Sequence, residues 1–275
     1  MRTSAQRTFW HVLLAFALGL LIIFPIFHGF MSAFKTDGAI DAYPPRLLPE
    51  SFLYLENFNQ AIFHSMVPRY MLNSLFISVT VTLVRLIISS TAAYAFAFMN
   101  FKGKNVLFFY IIGTMMIPPE ALLISNYLTI SRLGLIDTYL GVMAVYFVSA
   151  TQVFMLRQNF KTVSKSLREA AFLDGCTDLK FYVNVCIPIS VPVFTSLGIS
   201  SFIHVWNAYL WPLLVTNDDA MRTVQVGISL LSSPDAPVKG PVFAAVALSL
   251  LPAVVIFAIS QRSIVQGISS GAVKG

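Results

Sequence analysis

Charge is scarce in this sequence. Only 11% of its 275 residues are Asp, Glu, Lys or Arg, against roughly a quarter in soluble domains. With 57% hydrophobic residues, a soluble fold of this length could not hide its apolar surface from water. Cysteine is nearly absent, and Cys176 and Cys186 are read as reduced thiols rather than a disulfide framework. His11, His28, His64 and His204 lack metal-ligand spacing, and no nucleophile triad is visible, which leaves neither a metal site nor a hydrolase centre to argue for. The chain has no G-x-x-x-x-G-K-[ST] phosphate loop, so it holds no ATPase site of that kind. Repeats with a period of about 20–50 residues are missing too, as are low-complexity tracts.

What the sequence does have is long apolar runs. They lie near Trp10 to Met31, Asn73 to Met99, Val106 to Ser125, Tyr139 to Leu156, Pro188 to Leu214 and Val242 to Ser260. Each has the length that crosses a bilayer, and each is expected to be an α-helix because lipid offers no partner to an open backbone. Any one run could be the buried helix of a large soluble core; all of them together point to a polytopic all-α membrane protein with about six spans. The second run covers roughly 40 Å as a helix, more than a hydrocarbon core of about 30 Å, so it must tilt or project. Arg2 and Arg7 precede the first run and no convincing small-residue cleavage site comes after it, which favours a retained anchor.

Basic residues set the expected orientation. With both termini inside, the inner segments hold Arg2, Arg7, Lys102, Lys104, Arg157, Lys161, Lys165, Arg168, Lys180, Arg262 and Lys274. The outer loops hold Lys35, Arg46, Arg69, Arg132, Arg222 and Lys239, fewer in greater length. That is the positive-inside pattern, and it places both termini in the cytoplasm. The net charge of +6 therefore reports topology; scattered between spans, it does not describe a nucleic-acid surface. The outer loops Ser32 to Arg69, with Pro44, Pro45 and Pro49, and Asn217 to Pro241, with Pro234 and Pro237, are long. Pro25, Pro118, Pro119, Pro192, Pro212 and Pro252 fall in spans, where proline makes kinks and hinges alike.

The inner segment Ser164 to Pro188 reads as two short helices joined by a turn. Ser166 and Glu169 have capping-box spacing, and Leu167, Ala170, Ala171 and Asp174 share a face. Gly175 stands where a left-handed residue ends a helix. A second helix starts at Thr177 or Asp178 and is expected to line Leu179, Tyr182, Val183 and Cys186 along one face. Glu169 thus has two readings, a helix cap or a charge offered to another protein.

Glu169-Ala170-Ala171, then Gly175, then Val185-Cys186-Ile187-Pro188, resembles the E-A-A loop of binding-protein-dependent ABC importer permeases, with conservative departures at Val185 and Ile187. Asn73-Ser74-Leu75, Ala93-Tyr94-Ala95, Met116-Ile117-Pro118, Trp206 to Pro212, Gln261-Arg262 and Gly271 to Gly275 resemble the second permease of carbohydrate importers, the maltose and glycerol-3-phosphate type. The resemblance implies a type I importer permease: residues 1–68 as N-terminal segment, first helix and outer loop, 69–262 as permease core with coupling loop 164–188, and 263–275 as cytoplasmic tail. It also implies a second permease, two ATPase subunits that carry ATP and Mg, and an extracytoplasmic solute-binding protein. Glu169, Ala170, Ala171, Asp174 and Gly175 would then dock on the ATPase. The chain itself would carry no cofactor and act as a multi-pass transport subunit of the cell membrane.

Candidates for the solute path are weaker. Arg85 lies inside the second run, where a cation costs about 2.5–3.5 kcal/mol on insertion scales, so it needs a partner; Glu120 is the candidate. Trp206, Asn207 and Tyr209 could stack on and hydrogen-bond a hydroxylated solute, or pack and anchor helices instead. Asn73, Asn126 and Gln152 are lesser candidates. The expected solute is a sugar or sugar derivative, with sn-glycerol-3-phosphate or another polyol or phosphate as the alternative. The rivals are an ion-coupled secondary transporter, which calls for ionisable relays and an internal repeat, and a membrane enzyme, which calls for clustered His, Asp, Glu or Cys.

Overall fold

A computed structural model describes residues 4–231 and 239–272, with side chains described over 10–231 and 239–259. Arg2, Pro234, Pro237, Val273, Lys274 and Gly275 lie outside the described residues, as do the side chains of Arg7, Gln261 and Arg262. Among the described residues the secondary structure is helical throughout. In chain order the helices are α1 (Ser4–Ser32), α2 (Asp37–Ile40), α3 (Glu56–Phe63), α4 (Val67–Phe98) and α5 (Lys104–Thr114). They continue with α6 (Leu123–Arg132), α7 (Tyr139–Met143), α8 (Ala150–Phe160), α9 (Lys165–Leu173) and α10 (Asp178–Phe181). The last are α11 (Ile187–Ile189), α12 (Val191–Trp206), α13 (Leu210–Val215), α14 (Val224–Leu231) and α15 (Gly240–Ala272).

Three stretches are long and apolar enough to cross a membrane unaided: Trp10–Ser32, Val67–Phe98 and Gly240–Ile259. Three more are bent pairs, so the count reaches six if each pair is one span. The bends revise the expectation of simple kinks. Pro25 and Pro252 sit inside unbroken helices. At Pro118 and Pro119, however, α5 ends at Thr114 and the chain turns by 94° before α6. Pro118 is extended (ψ 134°) and neither proline has an N–H to continue a helix, so the third run is two helices rather than one.

The fourth run breaks by 48° without a proline. Ser149 leaves the helical conformation and its hydroxyl accepts the Gln152 N–H at 3.3 Å, starting α8 afresh. The fifth run turns by 78° at Ser190, where Pro192 stands in the first turn of α12. It breaks again after Trp206, and Asn207 caps the C-terminus.

The chain forms two compact units. The first comprises 1–69 and 227–251. Its core is small, with Ala33, Ala61, Ala244 and Ala247 surrounded by Phe34, Phe58 and Phe243. Buried Asn57 ties it by donating to the carbonyls of Ala33 (2.9 Å) and Lys35 (2.7 Å). Its Oδ1 lies so near Gly240 that a Cβ there would meet it at 2.2 Å. Lys35 is buried and donates to the Arg46 carbonyl; burial holds its pKa below the usual lysine value.

The second unit comprises 70–226 and 252–275. One cluster packs Ile77 and Val81 of α4 against Ile130, Val142, Met143, Val205, Trp211 and Val215. A second packs Ala93 and Tyr94 against Leu156, Phe160, Phe181, Cys186 and Leu197. Helix α4 runs through both. At its first cluster it also fixes a loop: Asn73 donates to the carbonyls of Ala220 (2.8 Å) and Arg222 (2.9 Å) and accepts from Tyr139 (2.8 Å), while Ser74 accepts the Val224 N–H (2.8 Å).

Candidate functional site: an exposed helical hairpin

The segment from Ser164 to Pro188 forms the two short helices its sequence implies, and the details differ in three respects. First, the N-cap of α9 is Ser164, whose hydroxyl accepts the Leu167 N–H at 3.3 Å. Ser166 is already inside the helix, so Glu169 cannot close a capping box; the cap reading of Glu169 is overturned. Second, the chain after α10 widens into a π turn, Tyr182–Cys186, before α11. A π turn adds a residue and rotates the helix beyond it. Phe181 and Cys186 are fully buried and Tyr182 packs beside them, whereas Leu179 and Val183 are exposed, so only Tyr182 and Cys186 of the predicted face Leu179, Tyr182, Val183 and Cys186 are packed. Third, Asp178 ties the hairpin to its neighbours, a role that its place at a helix start does not announce.

Other features stand as read. Gly175 has φ +78°, and Thr177 caps α10 by accepting from the Lys180 N–H. Cys176 and Cys186 are free thiols.

The hairpin is held on one side and open on the other. Asp178 Oδ1 accepts from the Tyr94 hydroxyl of α4 at 2.8 Å and from Arg168 Nη2 of α9 at 3.3 Å. The Arg168 guanidinium sits over the rings of Phe98 (5.4 Å) and Phe172 (5.0 Å). Tyr182 shares a 2.6 Å hydrogen bond with Ser90, and Phe181 packs edge-on against Phe98. The opposite side carries Glu169, Ala170, Asp174 and Leu173, all exposed, with Leu173 at 89%. No residue of α9 is buried, and Ala171 is only half-buried. An apolar residue this exposed, on a helix bonded at its base to α4, is what makes the hairpin the candidate site.

The solute-path candidates do not assemble into one site. Arg85 is buried, and its partner is not Glu120. Its Nε donates to the Tyr146 carbonyl and its Nη1 to Ser201 (3.2 Å), with the Tyr146 ring beside it and His204 edge-on to that ring at 5.9 Å. Glu120 is exposed in the short 3-10 turn Pro119–Leu122, carried away by the bend. The guanidinium found its acceptors in a backbone carbonyl freed near the break in the fourth run and in a hydroxyl, groups that a search for opposite charge passes over. Trp206 is buried and stacks on Phe202 at 5.7 Å. Asn207 and Tyr209 are exposed, and Asn207 accepts from Gln225 at 3.3 Å. Asn73 and Gln152 are buried structural ties, the latter to the Leu197 carbonyl, and Asn126 is half-buried. Among the described residues no group of His, Cys, Asp or Glu could hold a metal.

These features define a class: a multi-pass membrane protein, helical throughout its described residues, with an exposed helical hairpin. Comparison with known proteins narrows it. Residues 85–270 match the family described as binding-protein-dependent transport system inner membrane component. The sn-glycerol-3-phosphate transport system permease protein UgpE of Yersinia pestis bv. Antiqua is 34% identical over 94% of this chain and 95% of its own. The arabinooligosaccharides transport system permease protein AraQ of Bacillus subtilis is 30% identical over 100% of both. In fold, the chain resembles a crystal structure of a bacterial ABC transporter involved in import of the acidic polysaccharide alginate, with TM-score 0.83 and 22% identity over 96% of this chain and 99% of that one. The chain belongs to the binding-protein-dependent transport system inner membrane component family. It is a membrane permease of an ABC importer.

Proposed function

We propose that this permease imports a sugar or sugar derivative handed over by an extracytoplasmic solute-binding protein, and that a separate ATPase drives it through the hairpin 164–188. In this reading two ATPase subunits carry ATP and Mg, a second permease completes the pore, and both termini are cytoplasmic. The observation that carries it is the hairpin itself, whose exposed face holds Glu169, Ala170, Asp174 and Leu173 while its base is bonded to α4. Small residues let a partner approach closely, and Glu169 offers a charge that no cap consumes. The solute class rests on the relatives, one named for a phosphorylated polyol and one for an oligosaccharide. A phosphate-bearing solute stays in play on the first of these. Arg85 meets Tyr146 and Ser201 rather than Glu120.

Glu169→Gln tests the reading, because Ser164 and not Glu169 caps α9 and the change removes charge alone. Solute-stimulated ATPase activity of the reconstituted complex is expected to fall roughly tenfold, the equivalent of one lost charge-assisted contact of about 1.4 kcal/mol, with normal membrane insertion. Activity at the wild-type rate would sink it.

A further inference from the structure

At the end of the second unit that carries the hairpin, a cleft of about 660 Å³ opens between the end of α4, the start of α5 and the last turn of α8. Its charged lining has one sign. Lys104, Arg157 and Lys161 face it together with Asn100 and Asn105, and no lining side chain is acidic. Two of the cations are fixed in place. Lys104 Nζ donates to the Met99 carbonyl at 2.7 Å, while Arg157 Nε donates to the Phe96 carbonyl at 3.2 Å with its guanidinium 3.8 Å above the Phe108 ring. Three like charges gathered in one recess repel one another unless an anion joins them. Helix α5 adds the same sign, since its first turn lines the cleft and Gly103 gives it no side-chain cap.

The surroundings say what kind of anion fits. From Val106 at the cleft's edge, α5 goes on to expose Leu107, Phe109 and Tyr110, the last two above 70%. A free anion has no use for that surface, and an acidic protein surface would leave it bare. A phosphodiester with acyl chains covers both. The volume also suits a headgroup, lying within the roughly 300–1,000 Å³ typical of ligand pockets.

We propose that this cleft binds the phosphate-bearing headgroup of an anionic membrane lipid, such as phosphatidylglycerol, with the acyl chains laid along α5. Basic recesses between helices at the cytoplasmic face bind such headgroups. The inference rests on the proposed function only in placing the hairpin end at that face.

The test is lipid retention by the assembled importer, read by native mass spectrometry during titration with phosphatidylglycerol, with phosphatidylethanolamine or with inorganic phosphate. The variant combines Lys104→Gln with Lys161→Gln and leaves Arg157, which packs against Phe108, untouched. The wild type is expected to retain phosphatidylglycerol in preference to phosphatidylethanolamine and not to release it to millimolar phosphate. The double variant should bind it about 25-fold more weakly, a factor of about five for each cation removed. A photoreactive phosphatidylglycerol should label peptides within 97–106 or 157–161. Equal affinity in wild type and variant overturns the proposal, as does displacement by phosphate or labelling confined to the ATPase subunits. Glu169→Gln in the same preparation separates the two ideas: it bears on ATPase coupling and leaves lipid retention unchanged if the cleft is a lipid site.

Discussion

Arg85 illustrates how a charge is kept inside an apolar bundle. Its guanidinium reaches a backbone carbonyl and a hydroxyl, so the cost of the buried cation is offset by two hydrogen bonds and an aromatic face, with no counter-ion among the described residues. Lysine has no planar fork to reach both acceptors. Arg85→Lys is therefore expected to destabilise the purified permease by about 1–3 kcal/mol while leaving the apparent KM for solute within about twofold, thermal unfolding and transport kinetics being the two measurements. A large rise in KM at unchanged stability would return Arg85 to the solute path. Asp137 works differently. It has φ 56°, and its carboxylate caps the loop by accepting the N–H groups of Asn217 and Asp218 (2.8 Å for the latter). Burial alone would raise its pKa, but these backbone hydrogen bonds and that from the Asn217 amide hold it below the ordinary 3.8. A lowered carboxylate pKa contributes stability that is fully present above the unfolded value and lost as pH falls through the folded one. The melting-temperature gap between wild type and Asp137→Asn, which still tolerates the left-handed backbone, should stay constant from neutral pH down to about pH 4 and close below it. A gap that persists at lower pH would mean the carboxylate charge does not matter.

At the scale of elements, two glycines are needed for opposite reasons. Gly175 ends α9 at φ +78° with open space around it, whereas Gly141 has no φ constraint and lies against the chain, where a Cβ would meet the Leu135 carbonyl oxygen at 2.0 Å. Gly175→Asn should thus cost less than Gly175→Ala, which carries about 1–2 kcal/mol of left-handed strain. At 141 even alanine should fail, costing about 3 kcal/mol or more because rigid backbone must move, and Asn should do no better. Thermal melts of the four variants check both orderings. The same contrast governs what sequence can show. Gly175 was legible because helix ends use left-handed glycine; Gly141 was not, because its close neighbour Leu135 is brought against it only once α6 and α7 are packed. Hydrophobic run length located the membrane-crossing stretches, yet it could not divide them, since lipid-facing composition is the same on both sides of a break. The break at Ser149 did leave a signal: Ser149 and Gln152 have the spacing of a capping box, masked by the apolar residues around them. In the hairpin, the residue types and turn were legible, while the π turn at Tyr182–Cys186 and the burial of Phe181 in place of Leu179 belong to the packing against α4 and α8.

Within the second unit, α4 connects two sets of polar ties of quite different kind. Near its start, Asn73 and Ser74 hold the loop 220–224; near its end, Ser90 and Tyr94 hold the hairpin through Tyr182 and Asp178. Asn73 and Tyr94 are about 32 Å apart along the helix at 1.5 Å per residue, and the helix between them is unbroken. A rigid element bonded at both ends is a lever, and a lever makes a quantitative prediction. Asn73→Ala strands two carbonyls and the Tyr139 hydroxyl, at an expected cost of about 2–3 kcal/mol; Asp178→Ala, at a half-exposed pair, should cost about 1 kcal/mol. Sites this far apart, sharing no partner, should be additive in stability to within about 0.5 kcal/mol. Their effects on solute-stimulated ATPase should not add, because either change alone frees one end of α4 and the second then has little left to release. A double-mutant cycle that is additive in melting free energy and clearly non-additive in stimulated ATPase activity supports α4 as the transmitting element. Additivity in both would mean that motion of the hairpin reaches the pore by another route, for which the direct path through α11 and α12 is the next to test.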